Sequence, residues 1–364
     1  MAATAARQLR VRTPGGDYDV LIGRGLLAAM PALLAERGLP GQALVVSNTA
    51  VGPLYGEALA RTLGAPLLTI ADGEQHKTLE TVGALCEGML RAGLDRGGVV
   101  VALGGGVVGD VAGFAAAVYM RGVRVVQAPT TLLAMVDSSV GGKTGVDLPG
   151  GKNTVGAFWQ PSLVVADVDV LATLPQAEWR CGMAEALKHG LIGDAALFAR
   201  IEATANAPGG MPPVRIDEAL LEQAIAVKAR IVEADPLERG VRAHLNLGHT
   251  FAHAIETVSG YRWRLGDALA VGLVGAARLS AALGLCDASL PARVERALLG
   301  LGLPTRCAGL EPAALWAAMA ADKKWRGGRS RFVLVRDVGD VCVQEGVLRS
   351  EVMSVLEALL EAGS

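Results

Sequence analysis

The chain has 364 residues, long for one domain and natural for two. Lys and Arg total 34 against 36 Asp and Glu, a formal net charge of −2, which argues against a nucleic-acid-backbone binder and against an acidic disordered tail. Apolar residues make up 51%, aromatics 4%, and there are 47 glycines, so the chain can bury a large core and turn tightly near a ligand.

The first half alternates between strand and helix patterns. Gln8–Arg12 and Tyr18–Ile22 read as strands joined by the turn Pro14-Gly15-Gly16-Asp17. Leu26–Arg37 reads as a helix stopped by Gly38. The apolar runs Ala43–Ser47 and Pro66–Ile70 precede an amphipathic helix at Lys77–Gly93. The strands Gly98–Leu103 and Val123–Ala128 then flank a helix at Val107–Met120. This is the pattern of a parallel sheet covered by helices.

The second half is mainly helical. Helices are predicted at Gln176–Leu191, Asp217–Ala234, Leu247–Ser259, Asp267–Leu283, Leu290–Leu301, Ala313–Asp322 and Leu348–Glu361. A late hairpin pairs Arg331–Val335 with Asp340–Gln344, and Ala207–Val214 reads as a loop. The expected organisation is an α/β domain at 1–175 and a helical domain at 176–364, with a ligand cleft between them.

The longest uncharged run, Gly38–Gly56, carries two prolines and several polar residues, so no spanning helix is expected. The start lacks the apolar segment of a secretory signal. Cys86, Cys181, Cys286, Cys307 and Cys342 are scattered and odd in number, which fits a reducing cytoplasm rather than a disulfide framework.

Three groups of residues carry chemistry. Gly104, Gly106 and Gly109 form a G-x-G-x-x-G turn between a strand and a helix, where backbone N–H groups can face a phosphate. No acidic residue follows about 20 positions later for a ribose. A Gly-rich packing turn is the other reading. The run 129–161 is rich in Gly, Ser, Thr and Asn. Its Lys143, Lys152, Asp137 and Asn153 suit a polyhydroxylated anion, or else line a solvated surface loop. His249 and His253 share a helix face one turn apart, and Glu185 is a lone carboxylate on an apolar helix. A metal on Glu185 and His249 would satisfy a half-buried carboxylate, as would ordinary core hydrogen bonding.

Together these segments resemble the 3-dehydroquinate synthase family. The carrying motifs are Asp72-Gly73-Glu74-Gln75-His76-Lys77, 104–110 (GGGVVGD), Tyr119-Met120-Arg121-Gly122, 129–161 with its core VDSSVGGKTGVD, 182–188 (GMAEALK), 242–256 with LNLGHTFAHAIE, and Asp322-Lys323-Lys324. They stand in family order over roughly residues 8–360. The resemblance implies an N-terminal Rossmann-like NAD-binding domain and a helical metal- and substrate-binding domain. It implies conversion of 3-deoxy-D-arabino-heptulosonate 7-phosphate to 3-dehydroquinate and phosphate, on the shikimate route to chorismate and aromatic amino acids. NAD would be used and regenerated, a divalent Zn or Co would act as Lewis acid, and the protein would be a cytoplasmic homodimer that binds neither membrane nor nucleic acid.

Carried over by position, the resemblance puts NAD contacts at Asn48, Asp72, Gly73, Glu74, Gln75, His76, Lys77, Gly106, Val107, Val108, Gly109, Asp110, Thr130, Thr131, Asp137, Lys143, Lys152, Val170, Leu171, Ala172 and Thr173. Substrate and catalytic groups would be Arg121, Lys143, Lys152, Asn153, Lys188, Lys228, Arg242, Asn246, His253 and Lys323 or Lys324, with the metal on Glu185 and His249. One position departs. The family's third metal ligand is a His before Gly-Glu-Ala, and this chain has Leu265-Gly266-Asp267-Ala268. A leucine binds no metal, so the expectation is a weakly held ion, with Asp267, water or substrate as substitute, or a lost activity.

Overall fold

The computed structural model describes residues 6–39, 41–205, 217–321 and 330–360. The loop expected at Ala207–Val214 and the candidates Lys323 and Lys324 fall outside them. The chain divides into two compact units, Met1–Pro175 with Ile216–Leu237, and Gln176–Arg215 with Glu238–Ser364.

The first unit is built on a sheet of strands β1 (Arg7–Val11), β2 (Tyr18–Gly23), β3 (Ala43–Asn48), β4 (Leu67–Ile70), β5 (Val99–Gly104), β6 (Arg124–Pro129) and a strand at Leu163–Asp167. A separate hairpin supplies β7 (Lys143–Leu148) and β8 (Gly151–Phe158), so the strand at Leu163–Asp167 is β9. The sheet order is β1-β2-β9-β6-β5-β3-β4. All neighbours are parallel except β1 against β2. Both faces are covered, which explains the unbroken apolar runs. Leu44, Val46, Val100 and Ala102 pack on one face; Val45, Val99, Val101 and Leu103 pack on the other. Helices α1 (Met30–Glu36), α2 (Glu57–Leu63), α3 (Leu79–Arg91) and α4 (Gly106–Val118) belong to this unit.

Some elements differ from the sequence expectation. Helix α1 starts late because Pro31 sets its first turn. The run 129–161, where the composition predicts a loop, contains the β7–β8 hairpin. Its strands approach so closely that a Cβ on Gly156 would lie 2.0 Å from the Thr144 carbonyl oxygen. Strand β8 is largely exposed, so no hydrophobic alternation marks it.

The second unit holds α5 (Gln176–Gly193) and α6 (Ala195–Ala205). The sequence reading did not separate α6; the Asp194 carboxylate opens it by accepting from Leu197 N at 2.9 Å. Helix α7 (Glu218–Ala234) packs in the first unit, where β1 and the segment Ala134–Ser138 touch it, rather than with the helical segments it follows in sequence. The second unit continues with α8 (His249–Val258), α9 (Leu265–Ala282), α10 (Leu290–Gly300), α11 (Pro312–Ala320), the hairpin β10 (Arg331–Asp337) and β11 (Asp340–Glu345), and α12 (Arg349–Leu360). Helix α9 touches α5, α8, α10, α12 and β10. It is long and apolar enough to cross a membrane, but 72% of it is buried in the fold, as a core helix should be.

Candidate active site

In the first unit, β3 leads to β4 on one side and β5 lies on the other. Ligands of open parallel sheets bind at such a reversal, beyond the carboxyl ends of the strands. Asn48 ends β3 and Gly104 ends β5 there. The turn Gly104–Gly106 opens α4, whose N-cap Gly105 offers no side-chain cap to the first N–H groups. The third glycine has a packing reason: a Cβ on Gly109 would meet Gln127 Oε1 at 2.8 Å. Thr130 Oγ1 and Ser139 Oγ are buried without a hydrogen-bond partner among the described residues. An uncapped helix end, a glycine cradle and orphaned hydroxyls fit a bound dinucleotide.

Around this turn the predicted residues form one polar network. Lys77, 4% exposed, donates from Nζ to Asp110 Oδ2 at 2.7 Å and to Asn153 Oδ1 at 2.5 Å. Burial works to lower the Lys77 pKa, but the Asp110 and Glu74 carboxylates outweigh it and hold the ammonium above its ordinary value. Burial pushes the Asp110 and Glu74 carboxyls up, against the pull of Lys77. Lys152 Nζ stands 3.9 Å from Glu74 Oε1. Asn153 is left-handed, φ 52°, and its N–H donates to Asp147 Oδ1 at 2.7 Å. Asp147 is the last residue of the run VDSSVGGKTGVD and was not among the predicted site residues.

Asn48 Nδ2 donates to Asp72 Oδ1 at 2.5 Å. Asp72 lies just past β4, before the glycine turn in sequence. Gln75 Nε2 donates to the Asp72 carbonyl at 3.3 Å. Gly73, at φ 110°, and His76 belong to the same short turn. Thr131 Oγ1 accepts from Ala134 N at 3.1 Å. Positions 170–173 form a 3₁₀ turn tied down by Tyr55, whose Oη lies 2.7 Å from Thr173 Oγ1 and donates to the Val170 carbonyl. Nothing in the sequence signalled Tyr55. Helix α7 brings Lys228 to Asp137, with Nζ 2.8 Å from Oδ1 and a second bond to its carbonyl. Arg121 is exposed on a left-handed turn, φ 66°, and Lys143 is exposed at the start of β7.

In the helical unit, Glu185 and Lys188 on α5 are each 1% exposed and 2.5 Å apart. His249 begins α8, and its Nδ1 lies 3.2 Å from the Leu247 carbonyl oxygen, to which Nδ1–H donates. Its Nε2 stands 3.6 Å from Glu185 Oε1, too far for a hydrogen bond. Two donors at about 2.0–2.1 Å from a tetrahedral zinc lie about 3.4 Å apart. The pair therefore fits a shared divalent cation. The His253 ring stands edge-on to His249, 5.5 Å between centroids. Asn246 Nδ2 donates to Glu238 Oε1 at 3.3 Å, and Arg242 is 1% exposed in the 3₁₀ turn Val241–Asn246.

Leu265 is the first residue of α9 and is partly buried. Gly266 is jammed against α5: a Cβ there would lie 2.2 Å from the Cys181 Cα. Asp267 lines a cavity of about 550 Å³ with Arg180, Arg262, Trp263, Arg264, Gly302 and Pro304; Glu185 and His249 are not among its walls. Burial raises the Asp267 carboxyl, opposed by Arg264 and Arg180. The structure does not bring Asp267 to the Glu185–His249 pair.

Residues 67–181 match the family model for the N-terminal part of 3-dehydroquinate synthase, and residues 182–325 match that for the C-terminal part. The chain is 43% identical over 366 residues to the 3-dehydroquinate synthase of a Synechococcus species, covering 98% of each. Among solved structures it resembles the 2-epi-5-epi-valiolone synthase of Streptomyces hygroscopicus with NAD⁺ and Zn²⁺ bound, at TM-score 0.83 and 31% identity, covering 94% of this chain and 96% of that one. It also resembles a 2-deoxy-scyllo-inosose synthase with NAD⁺, Co²⁺ and carbaglucose-6-phosphate, at TM-score 0.85 and 25% identity, covering 97% and 100%. The two family models meet between residues 181 and 182, on the helix that carries Glu185, and run across the glycine turn on one side and the His249 helix on the other; the chain belongs to the 3-dehydroquinate synthase family.

Proposed function

We propose that the chain is a 3-dehydroquinate synthase, a carbon–oxygen lyase that converts 3-deoxy-D-arabino-heptulosonate 7-phosphate to 3-dehydroquinate and inorganic phosphate. The observation that carries this reading is the continuous match of both family models over the glycine turn and the Glu185–His249 pair. Bound NAD would supply a hydride acceptor that is later restored, and a divalent metal such as Zn or Co would supply a Lewis acid. The chain's own residues do the rest. Asn48, Asp72 and the Gly104–Asp110 turn hold the nucleotide, with Lys77 fixing Asp110 and Asn153. Lys152, Arg242 and Asn246 suit the carboxylate and phosphate of the substrate. Lys188 holds one Glu185 oxygen and leaves the other facing His249. The His253 imidazole takes or gives a proton at a ring nitrogen.

Five free cysteines fit a reducing cytoplasm, and the family resemblance points to a homodimer. One observation favours a second reading: Leu265 stands where the family has a ligand, so the protein is then a catalytically impaired homologue that retains NAD. Phosphate release in chelator-treated protein, before and after adding Zn²⁺ or Co²⁺, decides between them. The synthase reading expects metal to restore turnover with no net consumption of NAD. Absence of turnover while NAD remains bound leaves the impaired homologue. Turnover of a sugar phosphate lacking the carboxylate, in preference to the heptulosonate, assigns a different cyclase.

A further inference from the structure

The hairpin β7–β8 is irregular where it meets the polar network of the first unit. Val146 pairs with Val155 and Leu148 pairs with Gly151, so Asp147 alone faces Lys152, Asn153 and Thr154. Several residues against one make a bulge, and bulges beside binding sites re-aim the side chains they carry. Asn153 sits in this bulge at φ 52°, a left-handed conformation that costs a non-glycine residue free energy and persists where its surroundings hold it. The Asp147 carboxylate holds it: Oδ1 accepts from Asn153 N at 2.7 Å, a charge-assisted bond. The Asp147 N–H in turn donates to the Lys77 carbonyl oxygen at 2.8 Å, and Lys77 Nζ donates to Asn153 Oδ1 at 2.5 Å. Three hydrogen bonds thus close a ring through Lys77, Asp147 and Asn153, all within the first unit. Lys77 also has the Asp110 carboxylate 2.7 Å away, so the Asp147 side chain bears chiefly on Asn153.

We propose that Asp147 is a positioning residue: through its bond to the Asn153 N–H it aims the Asn153 side chain at the anionic substrate. The inference deepens the synthase reading and rests on it for the substrate, though not for the geometry. The role asks for an acceptor oxygen at position 147 rather than for a negative charge, because Asp110 already supplies a carboxylate to Lys77. Replacing the Asp147 side chain leaves its own N–H bonded to Lys77, so a substitution there reads the carboxylate alone.

The test uses the full chain with NAD bound. Amide exchange read by NMR should show the Asn153 N–H protected in the wild type and in Asp147→Asn, and exchanging at least about tenfold faster in Asp147→Ala. Affinity for the heptulosonate phosphate is then measured by calorimetry in chelator-treated protein, where no turnover intervenes. Asp147→Ala should raise the Kd about tenfold, the low end of what a hydrogen bond to a charged group is worth. Asp147→Asn keeps an acceptor oxygen and should stay within about threefold of wild type. In an Asn153→Ala background, Asp147→Ala should cost about twofold or less, because the side chain it aims is gone. A role confined to the stability of the hairpin would cost the same in both backgrounds. Equal losses in the two backgrounds, an Asp147→Asn variant as weak as Asp147→Ala, or an Asn153 amide indifferent to residue 147 each overturn the proposal. Phosphate release by the wild type after Zn²⁺ is restored reports separately on the synthase reading. Its absence sinks that reading alone, because exchange and binding are read without turnover.

Discussion

Glu185 and Lys188 are both 1% exposed, so each needs the other's charge. Removing one partner of a buried pair typically costs about 3–5 kcal/mol, because the remaining ion stays desolvated. Glu185→Gln should therefore lower stability in urea by about 3 kcal/mol with an unchanged slope. Glu185→Gln with Lys188→Met should recover most of that, since no unpaired charge is left. If the double variant is no more stable than the single one, the pair is not what holds this turn of α5. The cysteines give a pH-dependent counterpart. Burial favours the neutral thiol and pushes Cys181 up to about 12 and Cys307 to about 11. The thiolate is the reactive form, so both should stay unlabelled by an alkylating reagent near pH 8 while the protein is folded. Their labelling should rise only as pH approaches those values, and all five cysteines should react in denaturant. Lys77, Asp110, Asn153, Glu185 and His249 stand out in the sequence because each lies in a contiguous motif of the family that the chain resembles. Tyr55 and Gln127 do not, because their roles come from packing distances between elements far apart in the chain.

Helices α8 and α9 meet through two glycines. A Cβ on Gly272 would lie 2.2 Å from the Gly248 carbonyl oxygen, and Gly248 itself is left-handed at φ 77°. The neighbour is backbone, so no side chain can move aside. Gly272→Ala must push α8 off α9, and overpacking of this kind costs about 3 kcal/mol. Because His249 is the next residue after Gly248, the shift should also widen the 3.6 Å separation from Glu185 and weaken metal binding. Thermal unfolding and Co²⁺ titration check the two effects together; a variant as stable as wild type that binds metal equally well contradicts the close contact. At this scale the sequence showed the parallel strands, because burial on both faces leaves an unbroken apolar run. It did not show the β7–β8 hairpin, because an exposed, Gly-rich pair of strands carries no alternation.

The first unit is not one continuous stretch of sequence. Helix α7 returns to it and buries Leu220, Leu221, Ala224, Ile225 and Val227. It is anchored by Lys228 to Asp137, by Glu222 to Arg7 at 2.5 Å, by Glu218 to Arg24 at 3.0 Å and by the Glu233 carboxylate accepting from Arg12 N at 2.7 Å. Length and the change from alternating to helical segments pointed to two units, and Pro175 followed by a long helix suggested where one ends, but a helix that leaves its neighbours in sequence gives no local sign of doing so. A boundary drawn only after residue 175 therefore omits part of the sheet domain. Each buried Leu, Ile or Val contributes about 1.5–3 kcal/mol, so losing four of them removes about 6 kcal/mol or more, comparable with the whole stability of a typical domain. A fragment of residues 1–175 should accordingly unfold without a cooperative transition and bind a hydrophobic dye. The same fragment carrying residues 216–237 on a flexible linker should regain a sharp transition and bind NAD more tightly than the shorter piece. Equal stability and equal NAD affinity for the two fragments refute the assignment of α7 to the sheet unit, and with it the role of Lys228 in holding Asp137.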